Sequence, residues 1–377
     1  MEFRDLKRQY LHLQSEIDAA ISKVMHSGQF ILGTEIAELE DNLAKYVGIS
    51  NCITCANGTD ALTLALKAWN IGVGDAVFVP DFTFFASAEA IALEGATPIF
   101  VDVDPQTFNI ETNSLKQAVA EVKSEGKLNA RAIVTVDLFG LPADYKNIRS
   151  IANDEQLLVL EDGAQGFGGE IEGQKACSFG DISTTSFFPA KPLGCYGDGG
   201  AIFTNNTEWA DKINSLRQHG KGVNKYNNEH IGINSRLDAL QAAILKVKFK
   251  AFKEAELSSI HQAALEYNNI LSIFVKTPTP PLGFQSSWAQ YTIQLSNKIE
   301  RNKLQEHLKT NGIPTMIYYP KPLSKLPAFQ HIHHYVETPI AQELSDKVLS
   351  LPIHPYITQA EISQVADTIL SYISNKE

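Results

Sequence analysis

The stretch LLVLEDGAQ, residues 157–165, decides the class of fold. Its apolar run, Leu157 to Leu160, has the length and composition of a strand that is buried on both faces. Strands of this kind form parallel sheets covered by helices, and such sheets bind ligands at the carboxyl ends of their strands. Asp162 is therefore predicted at the mouth of a buried strand, where an unpaired carboxylate is costly and a cationic partner is expected.

Strand-like and helical segments alternate on either side of this stretch. Further short apolar runs have the length of buried strands and cover residues 76–79, 98–103, 132–136 and 182–188. Between them lie segments with apolar residues at helical spacing, such as the one that contains Leu62 and Leu66. The repeated order of strand, loop and helix predicts an α/β protein with a mostly parallel sheet.

The pattern changes in the C-terminal third of the chain. A long helix is predicted from Ser235 to about residue 265, and residues 288–295 then alternate like an antiparallel strand. The segment from Thr358 to Glu361 is a capping box that opens a last helix. We therefore expect two domains, a large one over residues 1–250 and a smaller α+β one over residues 251–377.

Composition excludes several classes of function. The chain has 377 residues, 44% of them hydrophobic, and a formal net charge of −11, which does not suit general binding to nucleic acid. The first ten residues, MEFRDLKRQY, are charged where a secretory signal needs an apolar stretch, and no run approaches the roughly 20 apolar residues of a membrane span. A cytoplasmic protein that does not bind membranes is expected.

Two clusters of potential metal ligands are interpreted as structural. Cys52 and Cys55 form a C-x-x-C, but the sequence around them resembles a short strand and no second pair completes a zinc ribbon. The histidines at 331, 333 and 334 lie in a proline-flanked stretch without a carboxylate or cysteine at ligand spacing. We expect no metal site, and the low cysteine content fits a reducing compartment.

A lysine and a glycine motif complete the candidate chemistry. Lys191 follows the strand-like residues 182–188, so it is predicted at the same sheet edge as Asp162. Taken alone, this pair favours a structural salt bridge over a catalytic one. Asn57-Gly58-Thr59-Asp60 stands between a strand and a helix, where it either cradles a phosphate or only caps the helix.

Motifs throughout the chain resemble those of the nucleotide-sugar aminotransferases of the DegT family. They are NGTDAL at 57–62, PDFTFFAS at 80–87, EDGAQ at 161–165, SFFPAK at 186–191 and GINSRLD at 232–238. The resemblance runs from residues 5–10 to residues 351–355. It implies the aspartate aminotransferase-like fold type I, pyridoxal 5′-phosphate (PLP) as cofactor, and a homodimer whose active sites include residues from both subunits.

The resemblance also implies roles for individual residues. Lys191 would hold PLP as a Schiff base and move the proton, and Asp162 would pair with the pyridine nitrogen. Gln165 would bind the phenolic oxygen of the cofactor, and Phe84 would stack on its ring. The phosphate would be bound by Gly58, Thr59, Ser186 and Asn234 of the partner subunit. Because some relatives replace the lysine by histidine and dehydrate the sugar, Lys191 favours transamination.

The substrate is predicted from a basic segment and from the subgroup that the chain most resembles. Arg217, Lys221, Lys225 and Arg236 form a local positive patch, which is either an anion site or a solvated loop. The likeness is to enzymes that aminate C3 of UDP-linked 3-keto-2-acetamido uronic acids, with glutamate as donor, for surface polysaccharides such as O-antigen. There, the arginine that matches Arg236 would bind the sugar carboxylate.

One departure and two alternatives accompany this prediction. Tyr318-Tyr319-Pro320 stands where many relatives have His-Tyr-Pro, so these two tyrosines are the expected sugar-side contacts. The first alternative is amination at C4 of a 4-keto-6-deoxy sugar nucleotide. The second is a PLP-binding regulator without catalysis.

Overall fold

The computed structural model describes residues 1–224 and 226–374. Within these residues, seven strands form the central sheet in the order β1-β9-β8-β5-β4-β2-β3. Their bounds are β1 Asn51–Cys55, β2 Asp75–Pro80, β3 Thr97–Val101, β4 Asn129–Val136, β5 Leu158–Asp162, β8 Ile182–Ser186 and β9 Gly200–Thr204. The strands from β3 to β8 pair in parallel, whereas β9 is antiparallel to both of its neighbours. The predicted α/β class with a mostly parallel sheet is confirmed.

Helices cover both faces of this sheet. They are α1 Leu6–Ser27, α2 Thr34–Val47, α3 Gly58–Ala68, α4 Ala86–Leu93, α5 Thr112–Glu125, α6 Tyr145–Glu155, α7 Thr207–Leu216 and α8 Ala239–Ala251. Alternate strand residues face opposite layers: Val134 and Leu160 pack with α3, and Ile133 and Val159 pack with α5 and α6. Apolar residues on both faces explain why the strands read as continuous apolar runs.

Most predicted boundaries are shifted by a few residues, and two of the differences have a visible cause. Strand β8 ends at Ser186, and the chain returns along it as β9, which the sequence did not single out. The long helix begins at Ala239 instead of Ser235, because the backbone N–H of Ser235 donates to Arg217 and its hydroxyl accepts from Ala56. These bonds keep Ser235 outside the helix.

The C-terminal region has its own core. It contains α9 Leu257–Leu271, β11 Tyr291–Gln294, α10 Lys298–Thr310, α11 Pro339–Lys347, β12 Val348–Leu351 and α12 Gln359–Ser374. Strands β11 and β12 pair in antiparallel fashion, and their apolar side chains pack against α9, α10 and α12. Three short strands, β6 Glu170–Ile171, β7 Gln174–Lys175 and β10 Phe284–Gln285, form a separate small sheet. The helix from α8 runs through a π-helical turn at Phe252–Glu256 into α9, so the proposed boundary at residue 250 lies inside continuous helix.

Two further sequence predictions concern the start of α12 and membrane spans. The capping box before α12 is confirmed, since Glu361 accepts from the backbone N–H of Thr358 at 2.8 Å and Thr358 Oγ1 accepts from that of Glu361 at 3.2 Å. Among the described residues, no helix combines the length and the apolar character needed to cross a membrane.

Candidate active site

Asp162 ends β5 with its carboxylate buried and with one hydrogen bond to each of its oxygens. Its side chain is 5% exposed, Ser87 Oγ donates to Oδ2 at 2.7 Å, and the backbone N–H of Ala164 donates to Oδ1 at 3.2 Å. Burial raises the pKa of Asp162, while Ser87, Lys191 and Ala164 act in the opposite direction. The predicted position at the mouth of a buried strand is confirmed.

Lys191 lies on the loop after β8 and interacts electrostatically with Asp162. Burial lowers the pKa of the Lys191 amine, the Asp162 carboxylate raises it, and Arg4 lowers it further. The backbone N–H of Lys191 donates to Phe188 at 2.9 Å, which fixes the turn that carries it. A partly desolvated amine next to a carboxylate can attack a carbonyl carbon and can carry a proton.

The start of α3 lies directly against the end of β8. Asn57 caps the helix by accepting from the backbone N–H of Asp60 at 2.8 Å, so Gly58 and Thr59 form its first turn. A Cβ on Gly58 would lie 2.7 Å from the Cβ of Ser186, so only glycine allows the two elements to approach this closely. The first amides of a helix have no intrahelical acceptor and bind anions, and the Ser186 hydroxyl lies beside them.

Gln165 and the aromatic side chains occupy another side of the site. Gln165 is 4% exposed, accepts from the backbone N–H of Phe139 at 2.8 Å and donates to the Tyr319 hydroxyl at 3.3 Å. Tyr319 also lies 6.3 Å, ring centre to ring centre, from Phe84, whose side chain is 54% exposed. Tyr318 lies 6.3 Å from Phe3 in the same way. The structure thus places Tyr319 against Gln165, and leaves a face of Phe84 open.

The basic segment is organised differently from its prediction. Arg217 is 6% exposed and forms an ion pair with Glu40 at 2.8 Å, so its assignment to a positive surface patch is wrong. Lys221 is exposed, and Lys225 lies outside the described residues. Asn234 is exposed and pairs with Gln218 through an isolated β-bridge.

Arg236 follows Asn234 on the same segment and is half-buried. In the parts of the chain described, the side chain of Arg236 has no hydrogen bond or ion pair, and no hydrogen bond joins Asn234 or Arg236 to Asp162 or Lys191. The structure therefore brings together Asp162 and Lys191 of one chain, and links neither Asn234 nor Arg236 to them.

Sequence reasoning missed three residues of the site. Ser87, which holds Asp162, stands three positions after Phe84 inside a quoted motif, so helical spacing was the available signal. Arg4 donates to the Lys191 carbonyl at 3.1 Å, and His354 lines the same cavity as Arg4 and Lys191. Nothing local in the sequence connects these two with Lys191.

The residues interpreted as structural are placed as follows. All of the cysteines are buried and unpaired, with Cys52 and Cys55 in strand β1. His333 packs edge-on against Tyr335 with ring centres 4.7 Å apart. In residues 1–224 and 226–374, no group of three or more histidine, cysteine or acidic side chains could hold a metal ion.

The donor set fits PLP. The cofactor has an aldehyde for a lysine amine, a ring nitrogen for a carboxylate, an aromatic ring for an open aromatic face, and a phosphate for a helix N-terminus. Lys191, Asp162, Phe84 and the Gly58 turn offer one of these each.

A family comparison agrees with this site. The model of the DegT/DnrJ/EryC1/StrS aminotransferase family matches residues 12–370. The chain belongs to this family. Enzymes of the family depend on PLP, so the protein is a PLP-dependent aminotransferase, and the predicted fold type I is confirmed.

Individual relatives and structures agree with the family. A UDP-2-acetamido-2-deoxy-3-oxo-D-glucuronate aminotransferase from Pseudomonas aeruginosa is 43% identical over 96% of this chain and 97% of its own. A UDP-N-acetyl-3-dehydro-alpha-D-glucosamine 3-aminotransferase from Acidithiobacillus ferrooxidans is 38% identical over 97% and 96%. The crystal structure of a family member from Brucella abortus superimposes on this aminotransferase with a TM-score of 0.96 and 46% identity, covering 99% of each chain.

A further solved structure contains the cofactor. The protein ntda from Bacillus subtilis, solved with bound PMP, the amine form of PLP, has a TM-score of 0.86 and 28% identity, covering 96% of this chain and 82% of its own. The fold of this aminotransferase is thus one that can hold the amine form of the cofactor.

Proposed function

We propose that this aminotransferase transfers the amino group of glutamate to C3 of a UDP-linked 3-keto-2-acetamido uronic acid. The product would be used for a surface polysaccharide such as O-antigen. The observation that carries the proposal is the buried pair of Lys191 and Asp162 in a chain that is 43% identical to an aminotransferase named for such a substrate. A second relative, 38% identical, is named for 3-amination of another UDP-linked keto sugar.

Lys191 would bond to PLP and afterwards act as the proton carrier. When bound, the cofactor supplies an electron sink for the bond that is broken at the substrate carbon. Burial lowers the pKa of the Lys191 amine, which favours the neutral form that can accept a proton. We assign the transfer of the proton at the substrate carbon to the Nζ atom of Lys191.

Asp162 would keep the ring nitrogen of the cofactor protonated. Its two oxygens already accept from Ser87 and Ala164, so the carboxylate is oriented before any ligand binds. Gln165, held between Phe139 and Tyr319, would face the phenolic oxygen, and Phe84 would cover the ring. Gly58, Thr59, Ser186 and Asn234 of the partner subunit would bind the phosphate.

Arg236 would bind the carboxylate of the uronic acid, with Tyr318 and Tyr319 near the sugar. Because Arg217 is paired with Glu40, Arg236 and Lys221 remain, among the described lysines and arginines of this segment, as the cations offered to an anionic substrate. A guanidinium binds a planar carboxylate through two parallel hydrogen bonds, which suits a uronic acid.

A homodimer is supported by the apolar surface near this segment. Val223 is 97% exposed and Ile231 is 92% exposed, and Phe30 and Ile31 are partly exposed, at 43% and 45%. Ile31 forms a β-bridge with Asp238, two positions after Arg236, so Ile31 lies near Arg236. Contiguous exposed apolar side chains mark interaction surfaces. We propose that a second copy covers them and contributes Asn234 and Arg236 to the neighbouring site.

The cysteines and one further relative bear on the setting of the reaction. All four cysteines are free and buried, which fits a reducing compartment, and we place the reaction in the cytoplasm. We also keep the division into domains at residues 250 and 251 as a proposal. Relatives of other names include a pleiotropic regulatory protein from Geobacillus stearothermophilus, 40% identical. A purely regulatory role would leave the Lys191 and Asp162 pair without use.

The testing experiment offers the purified protein 3-keto and 4-keto UDP-sugars with glutamate, and identifies the products by mass spectrometry. The proposal expects a 3-amino uronic acid and a change in the absorbance of the bound cofactor on adding glutamate. Lys191→Ala should abolish turnover, whereas Lys298→Ala, which removes a surface ion pair with Asp346, should not. Turnover of the 4-keto sugar alone would replace C3 amination by the C4 alternative.

A further inference from the structure

The segment before α1 places a cation against the backbone of the catalytic lysine. Arg4 donates from Nη2 to the carbonyl of Lys191 at 3.1 Å and from Nη1 to the carbonyl of Ala289 at 3.5 Å. Burial lowers the pKa of Arg4 to about 10, so the guanidinium stays charged at neutral pH. Its hydrogen bonds go to carbonyl oxygens instead of a carboxylate, which leaves a fixed positive charge next to Lys191.

Contacts with the C-terminal region hold this segment in place. Asp5 caps α1 by accepting from the backbone N–H of Arg8 at 2.8 Å. Arg8 forms two hydrogen bonds with Glu361 at 2.9 and 3.0 Å, and Gln9 donates to Glu256 at 2.8 Å. Arg4 therefore projects from an anchored helix start toward a residue 187 positions later in the chain.

Arg4, Lys191 and His354 line one small cavity. Its volume is about 20 Å³, enough for a single water molecule. His354 is 3% exposed, and its Nδ1 atom has no partner in the described part of the chain. Burial and the nearby Arg4 lower the pKa of His354 to about 4, so this ring adds no second charge at neutral pH.

Opposing charges thus act on the Lys191 amine. The Asp162 carboxylate favours the charged amine, and Arg4 favours the neutral amine. Glu256 and Tyr318 raise the pKa of Arg4. Asp5 and Glu361 raise the pKa of His354, and Arg8 lowers it. Without Arg4, the carboxylate would act on Lys191 unopposed except by burial.

We propose that Arg4 is a positioning residue for Lys191: its guanidinium holds the Lys191 carbonyl and places a positive charge that adds to the effect of burial in favouring the neutral form of the lysine amine. The inference rests on the role proposed for Lys191. A neutral amine is required both to bond with an aldehyde and to accept a proton from the substrate carbon. Arg4 does not need to touch the substrate for either effect.

The test measures the lysine itself in cofactor-free protein. Acetylation by acetic anhydride is followed across pH, and the labelling of the peptide that contains Lys191 is quantified by mass spectrometry. In Arg4→Gln, labelling of Lys191 at a pH below its midpoint should be about threefold or more slower, with the midpoint moved to higher pH. Arg4→Lys, which keeps the charge, should retain the wild-type midpoint.

Controls separate charge from folding. Lys7→Gln removes a neighbouring cation from the same helix start; Lys7 is exposed and takes no part in the contacts that anchor Arg4, so this change should leave the midpoint unchanged. Arg4→Met keeps the packing of the side-chain stem and provides a second neutral variant if Arg4→Gln does not fold. An unchanged midpoint in the folded neutral variants overturns the proposal. Because the labelling uses no substrate, absence of aminotransferase turnover in the wild type would refute the proposed function and leave this result interpretable.

Discussion

The two parts of the proposed site, a cofactor group and an open segment, differ in how far their side chains are exposed. In the cofactor group, defined as Ser87, Asp162, Gln165 and Lys191, the side chains are buried or partly buried and Asp162 and Gln165 are only 5% and 4% exposed. The open segment is defined as residues 218–236 without Lys225. In it, Val223 is 97% exposed and Ile231 is 92% exposed. A buried polar group must find its partners within its own chain, whereas an exposed one can receive them from a second molecule. One chain therefore supplies all of the cofactor group, whereas we propose that Asn234 and Arg236 of the open segment serve the site of a second copy.

The largest effect is expected from Asp162→Asn, which breaks the cofactor group. The amide cannot keep the ring nitrogen protonated, so turnover should fall on the order of 10⁴-fold, or ~5.5 kcal/mol in the barrier. The change is nearly isosteric, and Ser87 Oγ can still donate to the amide oxygen, so folding should survive. Steady-state turnover and thermal unfolding measure the two effects; near-normal turnover would remove the role assigned to Asp162.

Glu161 is the matched control because it precedes Asp162 on the same strand. Glu161 accepts from the backbone N–H groups of Phe179 at 2.7 Å and Gly180 at 3.1 Å and from Ser183 Oγ at 2.7 Å. Glu161→Gln replaces one carboxylate oxygen by an NH₂ group, which faces N–H and O–H donors and cannot accept from them. The change should lower the free energy of unfolding by about 2–4 kcal/mol. Its turnover per folded molecule should stay within about tenfold of the wild type.

The next largest effect tests the open segment. Arg236→Ala should weaken the use of a 3-keto uronic acid by roughly 2–5 kcal/mol, because the substrate carboxylate loses a charged partner. Arg236→Lys should recover only part of this, since lysine lacks the planar fork. The measurement is kcat/KM on the uronic substrate and on its neutral analogue. Equal losses on both would refute the carboxylate contact and favour a C4 enzyme.

Two further measurements sharpen the contrast at this segment. Arg217→Ala should lower stability without substrate selectivity, because its partner is Glu40 of the same chain. Mixing Arg236→Ala with Lys191→Ala subunits tests whether the segment serves the neighbouring site. If it does, a mixed dimer contains one intact site and recovers turnover that neither parent has on the uronic substrate.

The pH dependence of the free energy of unfolding tests whether His354, beside the cofactor group, is buried as a neutral ring. His354 has a pKa of about 4 in the folded protein against 6.5 for an unperturbed histidine, because it is buried and lies near Arg4. The unfolded chain takes up this proton first, so stability is complete above pH 6.5 and falls as the pH drops toward 4, by about 3 kcal/mol in all. Urea unfolding at pH 7.5 and pH ~4.5 should show this loss in the wild type and a smaller one in His354→Gln. Equal losses in both proteins would contradict a buried neutral ring.

The sequence predicted those site residues whose positions depend on where a strand ends. Asp162 is the last residue of the buried strand β5, and Lys191 follows the buried strand β8; because these strands are parallel, their ends meet at one edge of the sheet. Arg217 was misassigned because its own segment, residues 217–236, offers Glu229 as its single acid. Its actual partner, Glu40, lies 177 positions earlier in the chain. Arg4 and His354 could not be found for the same reason. Contacts between distant elements depend on packing that local patterns do not contain.

The smallest effect is expected from Ser87→Ala, which removes one bond of the cofactor group and leaves the rest. Ser87 is 1% exposed, donates to Asp162 Oδ2 at 2.7 Å and lies 3.3 Å from Thr83 Oγ1. Loss of a hydrogen bond to a charged group is worth about 1.5–3 kcal/mol, so turnover should fall by roughly 10- to 100-fold, less than in Asp162→Asn. If Ser87 orients Asp162, as its contact indicates, then adding Ser87→Ala to Asp162→Asn should cost little more than Asp162→Asn alone, because the orienting bond has no carboxylate left to serve. Thr83→Val is the control at the neighbouring hydroxyl, which has no contact with Asp162, and it should change turnover by less than Ser87→Ala does. Strictly additive losses in the double variant would show that Ser87 acts independently of Asp162, and that the cofactor group does not work as one unit.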